Sequence, residues 1–125
     1  MKKNVLALAA AAEAGTGLLL LAWPQIVVRL LFAAEISGAG VLMSRIAGIA
    51  LIRLGVACWP GDSAFQALNG MLTYSALALL DLVYIGVRGE AVGLLLWPAV
   101  AAHVILVVLL VGARLKERTT PQNLN

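Results

Sequence analysis

The most constraining stretch of this chain is residues 38–59, GAGVLMSRIAGIALIRLGVACW. It is long enough to cross a hydrocarbon layer of roughly 30 Å as a helix. Yet it carries two arginines, Arg45 and Arg53. An arginine near the centre of a spanning helix costs roughly 2.5–3.5 kcal/mol on insertion scales. Compensation has to come from elsewhere in the chain. The other apolar stretches offer Glu13, Asp81 and His103.

Composition places the chain in a membrane. Of its 125 residues, 62% are hydrophobic and 12% charged. A soluble domain carries about 25% charged residues, so too few are present to cover a water-facing surface. The net charge of +3 does not point to nucleic acid. The cations gather at Lys2 and Lys3 and again at Arg114, Lys116 and Arg118, which is how positive charge flanks spans on the cytoplasmic side. Cys58 is the only cysteine, which excludes an intrachain disulfide and a cysteine-based metal site.

Four spans follow from the apolar runs. Span one covers about residues 5–23 and holds Glu13 near its middle, with Gly15 and Gly17 as thin patches. Its opening, MKK followed by VLALAAAA and Ala12-Glu13-Ala14, has the form of a secretory signal. The apolar run continues to Trp23, so a retained span is expected, with cleavage as the alternative. Trp23-Pro24 stops the helix. Residues 25–32, QIVVRLLF, are amphipathic and too short to span, and read as a short interfacial helix with Arg29 toward headgroups. Span two ends at Trp59-Pro60-Gly61. Span three runs over about 68–87 and holds Asp81, with Tyr74 and Tyr84 as anchors. Span four runs over about 93–113 and holds His103; Trp97-Pro98 near its start leaves that boundary open, since the regular helix can also begin at Pro98. The expected fold is thus all-α, a four-helix transmembrane bundle with a short interfacial helix between spans one and two. Residues 1–118 form one domain, and 119–125 a polar tail. Even span number and terminal cations predict a multi-pass protein of the inner (plasma) membrane with both termini cytoplasmic. Trp23, Trp59 and Trp97 are the expected interface anchors.

Depth, at about 1.5 Å per residue, suggests partners for the charges. Arg45 and Asp81 each lie roughly 10 Å from the outer face, and Arg53 lies near the level of Glu13. The expected pairs are Arg45 with Asp81 and Arg53 with Glu13. Arg45 with Glu13 is the alternative, and Arg53 can also snorkel to the inner headgroups. Balanced acids and bases favour mutual neutralisation. A proton or ion path is the functional counterpart, because an ionisable residue inside a membrane is by default a functional candidate. Gly40, Ser44 and Gly48 form a small-xxx-small pattern that Gly55 continues, expected to pack helices within the bundle or to dock another subunit. His103 is expected to donate to a carbonyl or to Asp81. A lone histidine builds no two-histidine haem site, and no nucleophile motif surrounds Ser75. No phosphate loop or metal-ligand spacing appears, so neither a cofactor nor an enzymatic activity is expected.

The segment Ala12-Glu13-Ala14-Gly15-Thr16 resembles the first helix of the small multidrug resistance transporters. That resemblance implies a small dimeric proton-coupled transporter of four spans with Glu13 as its membrane glutamate. It covers only those residues, and the arginines of span two depart from it. Arg45-Ile46-Ala47-Gly48-Ile49-Ala50-Leu51 with a late Trp-Pro resembles uncharacterised four-span bacterial inner-membrane proteins, a family without an assigned activity. The first expectation is a non-enzymatic accessory or assembly subunit whose partners are the bilayer and another membrane subunit or a second copy. The transporter is the alternative.

Overall fold

A computed structural model describes residues 1–119. They form five helices: α1 (Lys2–Ala22), α2 (Pro24–Phe32), α3 (Ala39–Ala57), α4 (Ala64–Arg88) and α5 (Leu96–Thr119). No strand occurs among the described residues. Four helices, α1, α3, α4 and α5, are long and apolar enough to cross a membrane, and α2 lies between the first two of them. The all-α bundle with a short helix after span one is therefore the observed architecture. The expected polar tail lies, from residue 120 onward, outside the described residues.

Local chemistry sets the boundaries. Trp23 leaves helical geometry at φ −134° and ψ 62°, and Pro24 opens α2, where its missing N–H and fixed φ do no harm. Ala33 (φ 51°) ends α2 and Gly89 (φ 69°) ends α4, both in the left-handed conformation common at helix C-termini. The fourth span starts at Leu96 rather than near residue 93, with Pro98 inside its first turn. The third starts at Ala64, one turn earlier than hydropathy indicates.

Gly93 belongs to a docking loop instead of a helix. Its N–H donates to the Leu31 carbonyl at 2.9 Å, and the Leu95 N–H donates to the Leu30 carbonyl at 2.8 Å. Those bonds satisfy carbonyls at the C-terminus of α2 that have no helical partner. A Cβ at position 93 would strike the Leu30 carbonyl, so the close approach requires glycine.

The helices alternate in direction. Gly17 meets Gly48 and Ile52, while Ala10 and Ala14 meet Gly55, so α1 and α3 are antiparallel. Gly86 meets Leu96 and Trp97 at one end of α4 and α5, and Phe65 receives the Arg114 guanidinium at the other. Lys2 pairs with Glu117 across α1 and α5. The core gathers where α1, α4 and α5 converge: Leu6, Ala9, Ala10, Leu68, Met71, Leu106 and Leu110. Helix α1 therefore sits at the centre. Helix α3 packs against α1, and α4 packs chiefly against α5.

Candidate functional site

Two groups of ionisable residues lie within the spans, and they differ in every structural respect. The first is inside the bundle. Glu13 sits halfway along α1 and is 4% exposed. His103 of α5 is half-buried, and its Nε2 lies 3.8 Å from Glu13 Oε1. Tyr74 of α4 interacts with the same carboxyl group. Each of the three converging helices thus contributes one polar side chain. Ser75, next to Tyr74, is fully buried, and its Oγ has no hydrogen-bond partner among the described residues.

The tautomer of His103 follows from its other contact. Nδ1 lies 2.9 Å from the Ala99 carbonyl, which can only accept, so Nδ1 carries a proton and donates. Nε2 then faces Glu13 either as the lone pair of a neutral ring opposite a protonated carboxyl, or as the N–H of an imidazolium opposite a carboxylate. Both arrangements are net neutral. That is how a carboxyl group in an apolar bundle avoids the cost of an isolated charge. Chemically, the cluster can hold one proton between an acid and an imidazole, with a phenol alongside.

The second group faces outward. Arg45 and Arg53 are exposed, and both lie on the stripe of α3 that includes Ile49, away from the glycines that touch α1. Asp81 is exposed on α4 along with Leu77, Leu80 and Tyr84. None of the three has an ion-pair partner among the described residues. The pairs expected from depth, Arg45 with Asp81 and Arg53 with Glu13, do not form, and neither does the alternative of Arg45 with Glu13. Helices α3 and α4 share no extended contact surface, so equal depth does not make Arg45 and Asp81 neighbours. Glu13 turns from α3 toward His103 instead. His103 donates to Ala99 and faces Glu13, not Asp81.

The small residues divide in the same way. A Cβ on Gly48 would lie 2.6 Å from the Gly17 carbonyl oxygen, and one on Gly55 would lie 2.6 Å from the Ala10 carbonyl oxygen. These two positions let the α1 and α3 backbones touch. Gly40 meets only the side chain of Ile36, and Ser44 donates to the Gly40 carbonyl at 2.9 Å within its own helix. The contact seam therefore runs through Gly48, Ile52 and Gly55, and Gly40 lies outside it. On α1 it is Gly17 that is thin, while Gly15 faces open space.

The tryptophans Trp23, Trp59 and Trp97 are all more than half exposed, at the end of α1, just beyond α3 and at the start of α5. Arg29 pairs with Glu35 across the turn after α2. Hydrogen bonding and charge from Arg29 hold the Glu35 carboxyl below its ordinary range, and Glu35 raises Arg29 in return. The surface grooves among the described residues include one lined by Tyr84, Ile85, Arg88, Glu90 and Ala91 and another lined by Ala10, Ala14, Gly55, Val56 and Trp59. Neither is lined by Glu13, Tyr74 or His103. Sequence reasoning took Tyr74 for an interface anchor. Its place beside Glu13 becomes visible only once α4 is known to pack in parallel with α1. No protein family, curated protein or solved structure matches the chain.

Proposed function

We propose that the chain is a non-enzymatic accessory or assembly subunit of a membrane complex, packing through the outer face of α3 against a neighbouring membrane protein. The observation that carries this is Arg45, exposed on α3 six residues after Ala39 and without an acidic partner among the described residues. At about 1.5 Å per residue it lies roughly 9 Å below the end of the helix. A charge at such depth belongs against protein or polar groups. Arg53 lies four residues from Ala57 and is close enough to the other end to snorkel. Helix α3 is also the least buried of the four spans. The cations at positions 2, 3, 114, 116 and 118 support an orientation with both termini cytoplasmic, in a bacterial inner membrane.

The test is capture of tagged chain from native membranes under gentle conditions, beside an Arg45→Gln variant. A stoichiometric membrane companion that is reduced with the variant supports the role. Recovery of the wild-type chain as a monomer, with neither a companion nor a second copy, contradicts it.

The buried Glu13 supports a second reading, a small proton-coupled transporter in which Glu13 and His103 exchange the proton. In sealed proteoliposomes with an imposed pH gradient, Glu13→Gln should then abolish proton-coupled flux while the chain stays folded. Unchanged flux contradicts that reading.

A further inference from the structure

We infer that the neighbour covering α3 is a second copy of this chain, with Arg45 of one copy paired to Asp81 of the next. This rests on the packing role proposed above and names its partner. Three observations lead to it. Arg45 and Asp81 are opposite charges, both exposed, and neither has an ion-pair partner among the described residues. Their depths match: Arg45 follows the start of α3 by six residues and Asp81 precedes the end of α4 by seven, and these two helix ends lie on the same side of the bundle. Both charges therefore lie roughly 10 Å below one face. The helices run in opposite directions within one chain, so copies inserted in the same orientation bring α3 of one antiparallel to α4 of the next with no inversion.

Asp81 identifies the partner more narrowly than Arg45 alone could. A long arginine side chain can reach toward headgroups, whereas the short aspartate cannot. A carboxylate there is stabilised by a cation at its own depth, and Arg45 is an exposed cation that α3 presents at that level. Around the charges, Leu42, Ile46 and Ile49 on α3 and Leu77, Leu80 and Tyr84 on α4 are all at least half exposed and supply an apolar surround. One surface of each copy meets a different surface of the next. The contact is heterologous, and it gives a cyclic assembly when the rotation closes.

Charge reversal in two differently tagged, co-expressed copies tests this in native membranes extracted with their lipid. Wild-type copies should co-purify. Arg45→Asp in both copies, or Asp81→Arg in both, should lower co-capture roughly tenfold or more, because like charges then face each other. Mixing one Arg45→Asp copy with one Asp81→Arg copy should restore it, since each contact regains an opposite pair. A misfolded variant could not be rescued in this way. Co-capture that ignores the reversals, or fails to return on mixing, overturns the inference. A stoichiometric companion of different sequence that depends on Arg45, with no second copy present, also overturns it but leaves the packing role standing. Wild-type chain recovered as a lone monomer overturns both.

Discussion

Glu13 and Asp81 are both carboxylic acids placed well inside a spanning helix, yet one is enclosed by three helices and the other stands on the outside of the bundle. The difference lies in the helices that carry them. Helix α1 touches α3, α4 and α5, so a side chain at its middle meets protein. Glu13 accordingly finds His103 and Tyr74. Helix α4 uses one face against α5 and the core, and leaves the face of Asp81 open. Helix α3 does the same with Arg45 and Arg53. A buried net-neutral cluster is a feature of the single chain. An exposed charge at membrane depth is a feature of whatever surrounds it.

The strongest challenge to this contrast is to remove the partner of the enclosed acid. His103→Leu leaves Glu13 buried without its imidazole and should cost about 2–5 kcal/mol of stability, the lower end for a neutral carboxyl that loses a polar partner and the upper end for a carboxylate left unpaired. Denaturant unfolding in a fixed detergent reads this directly, and a loss under about 1 kcal/mol would show that Glu13 does not depend on His103.

Next in size is the α1–α3 seam, which makes the outward face of α3 possible by fixing its inward one. Gly48→Ala should destabilise by about 1–3 kcal/mol, because the added methyl meets a backbone carbonyl that cannot rotate away. Gly15→Ala, with open space around the position, should cost nothing measurable in the same assay. Equal effects at the two positions would contradict the seam.

Arg45→Leu sharpens the comparison from the other side. In detergent, where the single chain is isolated, its stability should change by no more than about 0.5 kcal/mol, as expected for an exposed residue without a partner. A large loss of unfolding free energy would mean that Arg45 has an essential contact within the chain.

The smallest effect belongs to Arg29 and Glu35, a solvent-exposed pair beside α2. Arg29 depresses the Glu35 carboxyl, so any stabilisation is present above the ordinary value near 4.5 and is lost as the pH falls through the lower folded value. Melting curves of wild type and Arg29→Gln should therefore differ slightly at pH 7 and converge as the solution is acidified below 4.5. Divergence in acid would reverse the sign and contradict the pairing.

The spans were legible because length and hydropathy alone limit where a helix can cross, and because Trp23-Pro24 and Trp59-Pro60 punctuate the chain. The ion pairs were not, although the expected donation of His103 to a carbonyl does form. Sequence gives depth along a span, which is one coordinate, whereas a contact also needs the helix neighbours and the rotation of each helix. Arg45 and Asp81 agree in depth and fail on neighbours. Glu13 and His103 meet because α1 and α5 adjoin antiparallel, an arrangement that short-range patterns do not encode. The small-residue pattern held in part: Gly48 and Gly55 pack α3 against α1 as expected, and Gly40 does not. Gly40, Ser44 and Gly48 lie on one side of α3, but the crossing with α1 passes through Gly48 and Gly55, which only the position of Gly17 reveals.

The central claim is that protein, not lipid, covers the outer face of α3. Ile49 lies between Arg45 and Arg53 on that face and is 50% exposed in the single chain. A nitroxide at Ile49→Cys, in a chain with Cys58→Ala, reports local oxygen collision in native-lipid bilayers. A second label at Val108→Cys, 63% exposed on α5, serves as the lipid-facing reference. Coverage by a neighbour predicts oxygen accessibility at position 49 well below that at position 108, rising to the same level when Arg45 is reversed to Asp. Equal accessibility at the two sites in the Arg45 chain would show that α3 faces lipid, and would contradict the claim.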